Sequence, residues 1–145
     1  GLDFKFPACT NLYGIPEHAS HLFLQQTCQS SPYRLFNVDR FGNKNPTESL
    51  YGTIPLILTC DGDRKKNCGV LWMNASESYV DVWNSGEGNG DGNCQVYSEN
   101  GIVDCFFLVG TNTLSMSSKV AQLTGYSLLP PLFALGYHQC KWNYE

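Results

Sequence analysis

The sequence predicts a mostly β protein that closes with one helix and one further apolar strand. Its 14 glycines and 7 prolines are spread along the chain, which indicates many turns between short strands. Aromatic residues, which favour strands, make up 13% of the chain. Only one segment carries an apolar pattern of helical period. The 145 residues correspond to one domain or to part of one.

The predicted strands are short and are separated by turn signals. We expect them at residues 4–6, 21–24, 33–37, 50–59, 70–74, 79–83, 95–98 and 102–109. Pro55 interrupts the longest run and predicts an edge or a bulge there. Asn100-Gly101 lies between the last two runs and is a strong hairpin signal. Residues 86–93, which read GEGNGDGN, predict a flexible loop.

A helix is predicted at residues 115–124, because Met116, Val120 and Leu123 fall on one face of it. A serine near its start can cap it, and Gly125 can end it in the left-handed conformation.

The apolar run at residues 132–137 follows Pro130-Pro131 and predicts a buried strand of a parallel sheet. The order of the predicted elements is many strands, then one helix, then a lone apolar strand. This order indicates the boundary between an all-β domain and an α/β domain. The chain starts without Met and stops just after an aromatic-rich run, so we expect a piece of a longer protein.

Charge and motifs exclude several classes of function. The net charge is −4 and no basic stripe is present, so no nucleic-acid partner is expected. No apolar run approaches the ~18 residues of a membrane-spanning helix, and none is expected. The sequence contains neither a nucleophile elbow nor a phosphate-binding P-loop.

The seven cysteines fit no metal-ligand spacing, and we expect neither a metal nor another cofactor. Cys60 and Cys68 flank a polar stretch and could close a hairpin with a disulfide in an oxidising compartment. Cys105 is predicted to be a buried thiol. Asn74-Ala75-Ser76 is an acceptor sequence for N-glycosylation.

Paired carboxylates are the chemistry of glycoside hydrolysis. The candidates are Glu17, Asp39, Glu48, Glu77, Asp81, Asp104 and Glu145. Sequence alone does not pair them in space. Asp104 lies in an apolar run, which predicts a buried acid tied to neighbouring strands. Asp39 stands at the mouth of a loop, where it is either a turn residue or a ligand contact.

Six blocks of this sequence form a recognisable series. They are residues 13–19 (YGIPEHA), 32–39 (PYRLFNVD), 50–55 (LYGTIP), 69–77 (GVLWMNASE), 101–104 (GIVD) and 123–144, which contains LTG and LPPLFALGYHQCKWNY. In this order they resemble glycoside hydrolase family 31. Together they are spread over nearly the whole chain, from residue 13 to residue 144.

The resemblance implies part of a galactose-mutarotase-like β-sandwich at residues 1–112. It also implies a linker helix and the first strand of a catalytic (β/α)8 barrel at residues 113–145. The implied activity is that of a retaining α-glucosidase that removes terminal α-linked glucose from glycans. The nucleophile of that family lies in an Asp-Met-Asn-Glu motif, which this sequence lacks. No catalytic residue is therefore assigned, and the fragment alone is expected to be inactive.

One site residue follows from the resemblance. In this family a loop of the sandwich reaches over the barrel mouth, and its Asp, which matches Asp39, contacts the bound sugar. His138 and Trp142 belong to the barrel-entry motif and are interpreted as structural.

The implied partners are a glycan substrate, the rest of the barrel and a regulatory β-subunit, in the lumen of the endoplasmic reticulum. The YGIPEHA block favours a glycan-trimming enzyme over a relative that acts on starch or maltose. The alternative is a stand-alone sugar-binding or mutarotase-like β module.

Overall fold

The computed structural model describes residues 1–27, 31–40, 45–61, 66–85 and 90–143. Two antiparallel sheets of four strands each form a sandwich, which confirms the predicted fold class. The first sheet has the order β1-β7-β6-β3 and the second has the order β2-β4-β5-β8. The strands are β1 Leu2–Phe6, β2 Leu12–Gly14, β3 Tyr33–Leu35, β4 Leu56–Asp61, β5 Lys66–Trp72, β6 Ser78–Ser85, β7 Asp91–Ser98 and β8 Cys105–Gly110.

The core lies between the two sheets and is built from alternate residues of their central strands. Val80 and Val82 of β6 turn inward from the first sheet, and Ile57 and Val70 come from β4 and β5 of the second. All four are 1–2% exposed. The period-2 placement of valine and isoleucine thus sets which face of each sheet is buried.

The connection after β7 crosses between the sheets, so the predicted hairpin at Asn100-Gly101 is wrong. β7 pairs with β1 and β6, whereas β8 pairs with β5. Gly101, at φ +92°, provides the turn, but the chain leaves it toward the other sheet. The same turn residues suit both a hairpin and a crossing, and the pairing of β8 with β5 decides between them.

The possible Cys60–Cys68 disulfide is not formed, although β4 and β5 do form a hairpin. Cys60 pairs with Asn67, and Cys68 pairs with Thr59. The two cysteines are therefore on opposite faces of the sheet, and both are free thiols. Cys105 is half-buried against the core rather than fully buried.

Two strand predictions fail in the first half of the chain. The run 21–24 forms no strand, and only Phe23 makes an isolated bridge to Tyr13. β2 was not predicted, because its three residues are bounded by turn residues. The run 50–59 becomes a strand only at Leu56, directly after Pro55, which has no backbone N–H to donate. Of the predicted loop 86–93, residues 86–89 lie outside the described residues.

Helix α1 spans Thr113–Thr124 and begins two residues earlier than predicted. The side chain of Asn112 caps it by accepting a hydrogen bond from the Ser115 amide at 2.8 Å. Met116 is 1% exposed and fixes the helix against β5 and β8. Gly125 follows the helix at φ +93°, but its ψ of 147° is extended rather than left-handed helical.

The predicted strand at residues 132–137 is wrong. Leu132–Leu135 form one turn of 3-10 helix, closed by a hydrogen bond from the Ala134 amide to the Pro131 carbonyl at 2.9 Å. In the part of the chain that the structure describes, no strand pairs with this run, so its backbone bonds are local. Leu132 and Phe133 are 85% and 80% exposed. Within the described ranges, no helix is long and apolar enough to cross a membrane.

Candidate functional site

Asp39 lies in the irregular segment that follows β3, at one end of the first sheet, and it is exposed. The residue before it is fixed, because the Val38 amide donates to the Leu50 carbonyl at 2.8 Å. The Arg40 amide donates to the Val38 carbonyl at 3.1 Å and closes a tight turn around Asp39. The carboxylate is thus presented to solvent from a backbone that is held on both sides.

The segment at residues 47–53 runs beside β3 and beside residues 36–40, here called the Asp39 loop, and is hydrogen-bonded to both. The Arg34 amide donates to the Thr47 carbonyl at 2.9 Å, and the Phe36 amide donates to the Ser49 hydroxyl at 3.1 Å. The Thr53 hydroxyl donates to the side-chain oxygen of Asn37. These bonds replace a strand ladder where the chain is irregular.

Tyr51 is the aromatic neighbour of Asp39 and is 56% exposed. Desolvation raises the pKa of Tyr51, and a hydrogen bond from its hydroxyl to the Asp39 carboxylate raises it further. The pair joins an apolar ring to a carboxylate on one exposed rim. Such a pair suits a sugar, which presents apolar C–H faces and hydroxyl donors.

Glu17 holds the backbone under Tyr51. One of its carboxylate oxygens accepts hydrogen bonds from the amides of Tyr51, at 3.1 Å, and Gly52, at 2.9 Å. The Glu17 amide donates to the Gly52 carbonyl at 2.9 Å. Sequence reasoning named Glu17 only as one of seven carboxylates. The signal for its role lies in the YGIPEHA and LYGTIP blocks, which the fold brings together.

A second group of charges surrounds Arg34. Its guanidinium donates to Glu77 and lies 4.7 Å from the centre of the Phe36 ring. Hydrogen bonds from Arg34 and then from Tyr79 lower the pKa of Glu77. Glu48 lies 4.0 Å from the same guanidinium. Glu77 is therefore held ionised in an ion pair, which suits a structural anion and not a proton donor.

A groove of about 460 Å³ lies between the start of the Asp39 loop and the turn before β6. Polar groups of Asn37, Thr53, Asn74 and Glu77 line it, together with the Phe36 ring. It could take a polar ligand the size of one sugar unit, and it adjoins the segment that carries Asp39.

Both hydrogens of the Asn74 side-chain amide are engaged in the folded chain. They are donated to the Asn100 carbonyl at 2.8 Å and the Ile102 carbonyl at 3.2 Å. Its oxygen accepts from the Ser76 amide at 2.8 Å. The side chain thus joins the turn before β6 to the crossing between the sheets. A glycan on this nitrogen would replace one of the two hydrogens and so remove at least one of the bonds to that crossing.

The remaining predicted carboxylates are apart from this rim. Asp81 is buried and accepts from the Thr27 hydroxyl at 2.7 Å. The prediction that Asp104 is buried is wrong: the strand begins only at Cys105, and Asp104 is exposed in the crossing. Glu145 lies outside the described residues. Among the described residues, no group of three or more histidine, cysteine or acidic side chains is arranged to hold a metal ion.

Comparison with known proteins gives a consistent result. Residues 1–81 match the family model of the glycosyl hydrolase 31 N-terminal galactose mutarotase-like domain. The chain is 41% identical over 151 residues to neutral alpha-glucosidase AB of Dictyostelium discoideum, and the match covers 100% of this chain and 16% of that protein.

Comparison with solved structures gives the same family as the sequence comparison. The chain is similar to a glucosidase II alpha subunit in a Glc1Man2-bound form, with a TM-score of 0.88 and 34% identity. It is also similar to a chain of the ER glucosidase II heterodimeric complex of catalytic subunit and the binding domain of the regulatory subunit, with a TM-score of 0.85 and 33% identity. Each match covers 98% of this chain and 17% of the other. The chain therefore spans about a sixth of the length of these relatives.

Proposed function

The chain belongs to glycoside hydrolase family 31, and on that premise we propose that it is the substrate-facing part of the N-terminal sandwich of a longer α-glucosidase. That enzyme hydrolyses terminal α-linked glucose from glycans with retention of anomeric configuration. The observation that carries the proposal is the exposed Asp39 carboxylate, presented beside Tyr51 from a loop that is hydrogen-bonded along its length.

We assign Asp39 as a contact to the bound sugar. A carboxylate accepts two directed hydrogen bonds, which matches two neighbouring hydroxyls of a glucosyl ring. The backbone bonds around Val38 limit its motion, so little freedom is lost when it meets the sugar. Asp39 binds and orients substrate in this scheme, and the carboxylates that act on the anomeric carbon come from outside these residues.

The division at residue 112 remains part of the proposal. The last sandwich strand ends at Gly110 and α1 begins at Thr113, which supports a boundary between them. Residues 113–145 would then lead into the (β/α)8 barrel. The exposed apolar side chains at Leu132 and Phe133 support a partner surface in the rest of the enzyme.

We further propose that the enzyme acts in the lumen of the endoplasmic reticulum with a regulatory subunit. The support is the similarity to a catalytic chain that was solved with the binding domain of its regulatory subunit. Co-purification of the full-length protein with a second subunit would test the assembly, and its absence from the lumenal fraction would contradict the location.

The experiment that tests the function uses the full-length protein that contains this sequence. We expect hydrolysis of a terminal α-glucoside, with the α-anomer of glucose as the first product in proton NMR. Asp39→Ala is expected to lower kcat/KM by roughly 5- to 150-fold, as for about 1–3 kcal/mol of lost hydrogen bonding to a charged group.

Glu99→Ala is the matched control, because Glu99 is an exposed carboxylate outside the Asp39 loop. Unchanged kinetics in Asp39→Ala would remove Asp39 from the substrate site. The 145 residues alone are expected to give no hydrolysis. If these residues bound a sugar, and if the gene encoded no longer protein, the chain would be better described as a stand-alone sugar-binding module.

A further inference from the structure

We propose that Glu17 is a positioning residue for Asp39, acting through the backbone of residues 50–52. The proposal rests on the assignment of Asp39 as a substrate contact and adds a residue to that site. Glu17 itself does not touch the sugar in this scheme.

The first step is that Glu17 holds one short segment by four hydrogen bonds. Its carboxylate oxygen accepts from the amides of Tyr51 and Gly52, at 3.1 and 2.9 Å. Its backbone amide donates to the Gly52 carbonyl at 2.9 Å, and its carbonyl accepts from the Leu50 amide at 3.3 Å. Two consecutive amides on one carboxylate oxygen are charge-assisted bonds, which fix the direction of both peptide planes.

The second step is that the held segment supports the Asp39 loop. The Leu50 carbonyl accepts from the Val38 amide at 2.8 Å, one residue before Asp39. The Thr53 hydroxyl donates to Asn37, two residues before Asp39. The Tyr51 side chain faces the Asp39 carboxylate itself. If the backbone of residues 50–53 became more mobile, the position of Asp39 would therefore become less well defined.

The third step separates this role from general stability. Glu17 is exposed, and the core near it is formed by Ile15, which is 0% exposed. The Ile15 amide donates to the Leu56 carbonyl at 2.9 Å and ties this part of the chain to β4 independently of Glu17. Loss of the Glu17 carboxylate is thus expected to loosen the loop and to leave the sandwich folded.

Positioning predicts a specific pattern in a double-mutant cycle on the full-length protein. Glu17→Ala is expected to lower kcat/KM by about 5- to 30-fold, mainly through a higher KM, because a displaced ligand costs part of its hydrogen bonds. Glu17→Gln keeps an oxygen acceptor for the two amides and is expected to restore most of that loss. When Asp39→Ala is already present, Glu17→Ala is expected to change kcat/KM by less than about twofold.

Each variant of the cycle has a result that would contradict the proposal. If the losses of Glu17→Ala and Asp39→Ala multiply, or if Glu17→Ala has no effect, the positioning role is wrong. A loss accompanied by a lower melting temperature and no rescue by Glu17→Gln would assign Glu17 to structure alone, which also overturns the proposal. The Asp39→Ala arm tests the proposed function separately: normal kinetics there would remove the substrate contact itself.

Discussion

The ring of Trp72 in β5 packs edge-on against the ring of Phe4 in β1, with centroids 6.5 Å apart and planes at 78°. The two residues belong to different sheets, so this contact joins the halves of the sandwich. The indole N–H of Trp72 donates to the Ser98 hydroxyl at 3.0 Å, which satisfies its one polar atom in the core.

Replacement of Trp72 by alanine is expected to lower the stability of the sandwich by about 3–5 kcal/mol, because it leaves a large cavity between the sheets. Hydrogen exchange of the β5 and β6 amides in the full-length protein measures that change locally. Ser98→Ala is the matched variant, since it keeps the ring and removes its hydrogen-bond partner, together with the bond between the Ser98 and Ser78 hydroxyls. It should cost about 1–2 kcal/mol. Equal losses in the two variants would contradict a packing role for the ring.

Alanine at Gly14 is expected to destabilise the pairing of β2 with β4. Gly14 has φ +115°, and a Cβ there would lie 2.0 Å from the Leu56 carbonyl oxygen. Backbone strain and a steric clash act together, so a loss of about 2 kcal/mol or more is expected in the exchange of amides near Ile57.

Gly136→Ala is the control for that variant, because its Cβ would meet nothing closer than 3.4 Å. A wild-type exchange rate in Gly14→Ala would mean that β2 moves freely relative to β4.

The sequence predicted several strands close to their observed positions, such as β6, and the helix that buries Met116. Leu123, which was predicted on the same helix face, is 45% exposed. The prediction missed the three residues of β2, since so short a strand has no measurable period and is defined only by its partner β4. The hairpin predicted at Asn100-Gly101 failed for a different reason: a turn signal does not say which sheet the chain enters next.

At the candidate site, the residues alone left Asp39 as either a turn residue or a ligand contact, and the family resemblance favoured the substrate contact. Its setting depends on contacts between distant parts of the chain, such as Glu17 with Tyr51. These contacts have no local pattern, so the sequence could name the residues but could not bring them together.

The thiol of Cys94 is expected to resist alkylation while the protein is folded. It is 0% exposed, and burial raises its pKa to about 12, so almost none of it is thiolate at neutral pH. Peptide mapping after treatment with N-ethylmaleimide at pH 7.5 should show label on Cys60, which is exposed, and none on Cys94. In denaturant both should react. Early labelling of Cys94 would show that β7 opens in the native state.

The ion pair of Arg34 and Glu77 predicts how β3 and β6 respond to acid. The hydrogen bond from Arg34 lowers the pKa of Glu77 below its ordinary value, so the pair stabilises the folded state at any pH above that value. The contribution should fall as pH drops through the ordinary pKa of 4.5 and be lost below the lowered one. Hydrogen exchange of the Tyr33 and Val80 amides measures this loss of stability. The rates are recorded from pH 7 to pH 3 and corrected for the intrinsic exchange rates.

Arg34→Gln should make that response flatter, because Glu77 without its guanidinium partner has a pKa closer to that of the unfolded chain. The variant should therefore be less stable than wild type at pH 7 and should approach it at pH 3. Arg40→Gln is the matched control, since Arg40 is half-exposed and its ion pair among the described residues is with Glu48, at 3.8 Å. This control should keep the wild-type dependence of stability on pH. If Arg34→Gln kept that dependence too, the acid response of this end of the sheet would come from other carboxylates, and the ion pair would have no part in holding β3 to β6.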